Sequence, residues 1–132
     1  MLFGVALYFG HSFVEERTVS QQSKTFISLL TDEDRIVVRM RRSGRHVLRF
    51  SVQYEALING QWHKITRFDN AHGYPHRHVY HPHRQEYKHP MSTTNNNQAF
   101  TEAQMVLKKN FMGMRERYIL ALERKIGGTN HE

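Results

Sequence analysis

From Arg45 to Ile58 the chain alternates with a period of two. Leu48, Phe50, Val52, Tyr54, Ala56 and Ile58 point one way, and Arg45, Arg49, Gln53 and Glu55 point the other. Successive side chains leave a strand on opposite faces, so this pattern demands an extended strand with one buried and one wet side. Asn59-Gly60 ends it, and both residues tolerate the positive φ that a two-residue hairpin needs. A partner strand must follow at once, and Gln61–Phe68 supplies it. Trp62, Thr66 and Phe68 are expected on one face, with His63, Ile65 and Arg67 on the other. Upstream, Ile36, Val38 and Met40 alternate with Arg35, Arg39 and Arg41 before a Ser43-Gly44 turn. Residues 35–68 therefore read as a three-stranded antiparallel meander, and 76–80 (HRHVY) as a short further strand.

The period changes to helical after Thr101. Ala103, Val106, Leu107, Phe111, Met114, Tyr118, Ala121, Leu122 and Ile126 form one apolar stripe, opposite Lys108, Lys109, Arg115, Arg117 and Arg124. Thr101 with Gln104 has the form of a capping box, and Gly127-Gly128 that of a C-terminal stop. The segment 91–98 reads as a polar connection. At the other end, 3–9 reads as a buried strand and 11–18 as extended, while 19–34 fits a short helix or a strand equally well. The expected fold is α+β: an antiparallel β-meander of four to five strands packed against one long C-terminal helix. It forms a single domain over 1–132, with 1–34 holding the N-terminal strand and the ambiguous segment, 35–80 the meander and its His-rich loop, and 101–126 the helix.

The chain has 132 residues and no cysteine, which suits one core and excludes disulfides and thiolate metal sites. The apolar run Leu2 to Phe9 is too short to span a bilayer and lacks a basic flank, so no membrane association and a cytoplasmic location are expected. Oligomeric state is not legible. Lysine plus arginine outnumber aspartate plus glutamate by 19 to 12, a formal charge of +7, which suits a polyanionic partner. Strand alternation gathers Arg35, Arg39, Arg41, Arg45 and Arg49 on one side, joined by Arg67, with Glu55 the only offset within the hairpin. Arginine's planar fork matches phosphate, so this face is expected to grip nucleic-acid backbone. Few aromatics accompany it, so base stacking is not expected.

Residues 67–89 concentrate the chemistry. His72, His76, His78, His81, His83 and His89 lie here, six of the ten histidines in the chain. His72 and His76 have the spacing of a helical zinc pair, but Gly73 and Pro75 between them forbid a helix. On a strand, His76 and His78 share a face and can ligate one metal, with His72, His81 or Asp69 as third ligand; this is the zinc alternative. The favoured reading needs no cofactor. RNA cleavage through the 2′-hydroxyl requires a base, an acid and cations for the phosphorane. His76 and His78 are assigned the proton work, with His72 auxiliary, Asp69 orienting, and Arg67 and Arg77 on phosphate. Asp69-Asn70 also reads as a turn whose side chains satisfy nearby backbone donors. His81, His83 and His89, beyond or beside Pro82, are peripheral. A third possibility is a non-enzymatic module that binds nucleic acid or an acidic protein.

Arg67, Phe68, Asp69, Asn70, Ala71 and His72, followed by Pro75, His76, Arg77 and His78 and then an amphipathic helix, resemble the TumE-type toxins of toxin–antitoxin modules. The likeness covers roughly residues 45–80 and the helix; the first thirty residues lie outside it. Here the loop between the half-motifs is shorter, and P-H-R-H has one residue fewer than the P-H-H-K-H form. The resemblance implies a growth-inhibiting toxin that acts on RNA and is paired with a helix-turn-helix antitoxin.

Overall fold

The computed structural model describes the backbone of residues 4–9, 12–17 and 20–127, and the side chains of residues 20–124. Gly4–Phe9 (β1) and Ser12–Arg17 (β2) form an antiparallel hairpin. Then come Gln21–Thr31 (β3), Asp34–Ser43 (β4), His46–Ile58 (β5), Gln61–Asp69 (β6), His76–His81 (β7) and Arg84–Pro90 (β8). These six pair in chain order as one antiparallel sheet, followed by the helix Asn96–Gly127 (α1). Among the described residues no helix is long and apolar enough to cross a membrane.

The α+β meander and its C-terminal helix are as expected, but the main sheet has six strands rather than four or five. Its edges, β3 and β8, are the strands that no sequence pattern marked as such. Nearly every side chain of β3 is exposed, so it carries no inside–outside alternation. β8 is largely polar, and Pro82 sits in the turn that joins it to β7. The Asn59-Gly60 turn is as expected, with φ of 51° and 80°.

Two bulges change which residues face the core. Arg41 pairs with Arg49 and Arg42 with Val47, leaving Leu48 as the extra residue. Val47 thereby joins the core, and Leu48, expected there, is only half-buried. Tyr54 pairs with Thr66 and Glu55 with Lys64, leaving Ile65 as the extra residue. One inserted residue reverses the parity of everything before it. Ile65 is buried in the core. His63 turns to the helix, 3.2 Å from the Tyr118 hydroxyl, and Trp62 turns away, under the Arg35 guanidinium at 4.0 Å. The expected faces of Trp62, His63 and Ile65 are corrected accordingly.

The helix also begins earlier than Thr101. Asn95 accepts the Gln98 N–H at 2.9 Å and is the N-cap; Gln104 turns its amide to the Phe100 carbonyl instead of closing a capping box. Asn97 accepts the Val47 N–H at 2.9 Å and donates to the Arg45 carbonyl at 2.7 Å, so the polar segment ties the helix start to the β4–β5 turn. Gly128 of the expected stop lies outside the described residues.

Ala99, Ala103, Leu107 and Met114 pack on Ile36, Val38, Phe50, Val52, Tyr54, Ala56 and Phe68. Each large apolar side chain buried this way contributes about 1.5–3 kcal/mol. A polar pin crosses the same interface. The Tyr54 hydroxyl donates to Asp34 at 2.5 Å, and Arg115 donates to both Asp34 oxygens at 3.1 and 3.2 Å and to Glu33 at 2.9 Å. With the helix fixed on one face of β5 and β6, the other face of the sheet is left open to carry a site.

Candidate functional site

On that outer face the antiparallel register lines up side chains in rows across the strands. One row runs Thr25, Arg39, Ser51, Asp69, His76. The next runs Ile27, Val37, Gln53, Arg67, His78, Lys88. Asp69 ends β6 and His76 opens β7 directly opposite. The loop between them turns at Gly73, whose φ of 96° suits glycine. Ala71 N–H bonds to Asp69 Oδ1 at 3.1 Å, the expected side-chain turn.

Asp69, His76 and His78 are 4%, 4% and 2% exposed. His76 Nε2 lies 3.4 Å from Asp69 Oδ1, and His78 Nε2 lies 3.2 Å from Asp69 Oδ2. The opposite ring nitrogens are each held by an acceptor. His76 Nδ1 sits 3.1 Å from the Tyr74 carbonyl and His78 Nδ1 sits 2.6 Å from a Glu86 oxygen. A carbonyl and a carboxylate only accept, so both Nδ1 atoms carry hydrogens. Held this way, both rings turn Nε2 toward the Asp69 carboxylate.

Arg67 offsets part of the charge: its Nε donates to Asp69 Oδ2 at 2.6 Å and its Nη2 approaches His78 Nε2 at 3.4 Å. His76 Nε2 is buried with no hydrogen-bond partner among the described residues. Burial pushes the Glu86 carboxyl up, but the hydrogen bond and charge of His78, with Lys88 and Arg67, hold it below the usual carboxylate range. Tyr80 lies parallel to the His78 ring at 6.4 Å, and burial raises its hydroxyl pKa.

The structure thus gathers Arg67, Asp69, His76 and His78. His72 is exposed on the loop and stacks on His76 at 5.3 Å. Arg77 does not join them: alternation sends it to the helix face, over the Phe68 ring at 5.3 Å. Burial and the nearby Arg117 lower its pKa. Arg39, Arg41 and Arg49 are exposed on the outer face as expected. Arg45 is not on that face, because it occupies the β4–β5 turn. Arg35 is paired with Glu55 at 2.8 Å. His81 and His83 make the β7–β8 turn, and His89 pairs with Arg77, so all three are away from the centre.

Glu86 and the Tyr74 carbonyl escaped sequence reasoning. The signal for Glu86 was the Pro82-His83 turn, which folds 84–90 back beside 76–81. Asn70 proves more than a turn residue: it accepts the Phe50 N–H and donates to the Leu48 carbonyl, both at 3.0 Å, closing the bulge in β5.

A six-stranded meander with a helix on one face and a buried Asp–His–His centre on the other defines a small α+β protein with a compact polar site. Residues 19–124 match the family described as Domain of unknown function (DUF7718), and the chain belongs to it. That span includes the whole centre. No curated protein and no solved structure matches the chain.

Proposed function

We propose that this protein is a toxin-like cytoplasmic enzyme that cleaves the RNA backbone at the Asp69–His76–His78 centre and is restrained by a helix-turn-helix partner. The observation that carries the reading is the convergence of two imidazoles, each held at Nδ1 by an acceptor, on one buried carboxylate. The exposed Arg39, Arg41 and Arg49 on the same face add a track for phosphates, and the R-F-D-N-A-H and P-H-R-H segments add the toxin resemblance.

In this reading His76 Nε2, which lacks a hydrogen-bond partner, takes the 2′-hydroxyl proton. The oxygen attacks phosphorus, and the 5′-oxygen leaves with the Nε2 proton of His78, which enters the step as the imidazolium. Asp69 orients both rings, and the Arg67 guanidinium meets the phosphorane charge. His72 stacks on His76 and Arg67 lies against His78 Nε2, so the exposed loop 71–74 swings aside to admit the substrate. A second reading, a metal-dependent hydrolase using the same residues, is favoured by the unpartnered His76 Nε2.

Expression of the chain in growing cells tests the proposal. Growth arrest and RNA decay are expected, both abolished by His76→Ala or His78→Ala in variants whose circular dichroism is unchanged. Full activity in the double variant overturns it.

A further inference from the structure

We infer that Asp69, His76 and His78 form a binding site for one divalent cation of the zinc class, with the Tyr74 carbonyl and Glu86 holding the two imidazoles in place. The inference belongs with the second reading above, since an ion held by both Nε2 atoms leaves neither imidazole free for the proton transfers of the first; its binding can be tested apart from either.

The ligand atoms of these three residues lie within 4.8 Å of one another. Tetrahedral zinc at about 2.0–2.1 Å from nitrogen and oxygen ligands sets those ligands about 3.3 Å apart. The carboxylate-to-imidazole separations here are 3.4 and 3.2 Å. These run to Oδ1 and Oδ2 respectively, so the three groups draw together from within 4.8 Å to close around an ion.

The second observation concerns protons. Both Nδ1–H groups are spent on acceptors, which is how metal-ligating histidines are held, by a backbone carbonyl or a carboxylate behind the ring. That turns both Nε2 atoms toward the Asp69 carboxylate, a grouping that a positive charge among them stabilises. For His78 the Arg67 guanidinium serves, touching His78 Nε2 and Asp69 Oδ2 together. For His76 nothing among the described residues serves, although its side chain is 5% exposed. Two imidazoles and one carboxylate suit zinc or its first-row neighbours rather than calcium or magnesium, which take oxygen ligands.

Arg67 is then a competitor for the ion. It already supplies positive charge to two of the ligand atoms, and its side chain is 29% exposed with the Tyr80 ring 5.8 Å from its guanidinium carbon. An entering cation displaces it toward solvent. This yields a result that a merely structural network would not give: removing Arg67 tightens metal binding.

The test is titration of the full chain, made without a histidine tag, with zinc(II) and with cobalt(II), whose visible absorption reports imidazole ligation. One equivalent is expected. His76→Ala should weaken binding by more than tenfold, Glu86→Gln by about 10–100-fold, and Arg67→Ala should strengthen it, while the His81→Ala, His83→Ala double variant binds as the parent does. Should His76→Ala fail to fold, the cobalt spectrum of the parent and the Arg67→Ala titration still decide. Absence of stoichiometric binding, or binding that survives His76→Ala and disappears in the His81, His83 double variant, overturns the inference. RNA cleavage by chelator-stripped protein that takes up no zinc overturns it too, and leaves the RNA reading standing. One bound zinc with no RNA cleavage does the reverse.

Discussion

The side-chain oxygen of Asn70 accepts the backbone N–H of Phe50 at 3.0 Å, twenty residues away in sequence and buried. Its amide donates to the Leu48 carbonyl on the other side of the bulge. A bulge frees backbone groups from the ladder, and buried ones need partners. Asn70 supplies both, and because it follows Asp69 it also fixes the strand end that carries the carboxylate.

Asn70→Ala should therefore cost about 1–3 kcal/mol of stability by leaving buried backbone groups unpaired. Urea unfolding checks this. Asn70→Asp keeps the acceptor and loses the donor to Leu48, so it should also destabilise.

Tyr54 gives a pH dependence. Burial, and then its hydrogen bond to Asp34, raise its hydroxyl pKa far above the usual tyrosine value. A raised folded pKa means the stabilisation is complete below the unfolded value of about 10 and is lost as pH rises above it. Alkaline unfolding should begin near that pH, and Tyr54→Phe should flatten the alkaline limb while lowering stability at neutral pH by about 1 kcal/mol. Denaturation midpoints measured from pH 7 to 11 would show it.

RNA binding, if it follows the outer face, should weaken with salt. Arg39→Gln, Arg41→Gln and Arg49→Gln should each reduce the slope of log K against log salt by about 0.7. Arg77→Gln should leave the slope unchanged, since that side chain lies on the helix face. Equal effects from all four would contradict the placement.

His72 should matter less than His76. Removing a general base costs about 10²–10⁴-fold, whereas His72 only stacks on the His76 ring to which that role is assigned. Single-turnover RNA cleavage by the His72→Ala and His76→Ala variants should separate them clearly; equal losses would give His72 a direct chemical role.

Much of this was legible because the period of two is local. The alternation from Phe50 to Ile58 and the Asn59-Gly60 turn specify a strand and a hairpin. The H-x-H spacing puts His76 and His78 on one face, and the same rule puts Arg77 on the other. What stayed hidden depends on neighbours in space. Trp62 reversed faces because Ile65 is a bulge, which no pattern within β6 announces. β3 was ambiguous because an edge strand with both faces wet need not alternate. The helix start was masked because Asn95 caps it from inside a polar run that also binds the β4–β5 turn. Glu86 joined the centre only once 84–90 had been recognised as a strand.

In the six-stranded sheet every strand pairs only with the next in sequence, so the chain order is also an assembly order. The strands that hold Asp69, His76, His78 and Glu86 precede α1 in the chain and leave a ribosome before it. Contacts between neighbours in sequence close quickly, while ties such as Arg115 to Asp34 wait for the last quarter of the chain. During synthesis the outer face can take shape while Phe50, Val52 and Tyr54 still lack their cover. That interval exposes an apolar sheet to the nascent chain's surroundings, and it closes when α1 docks.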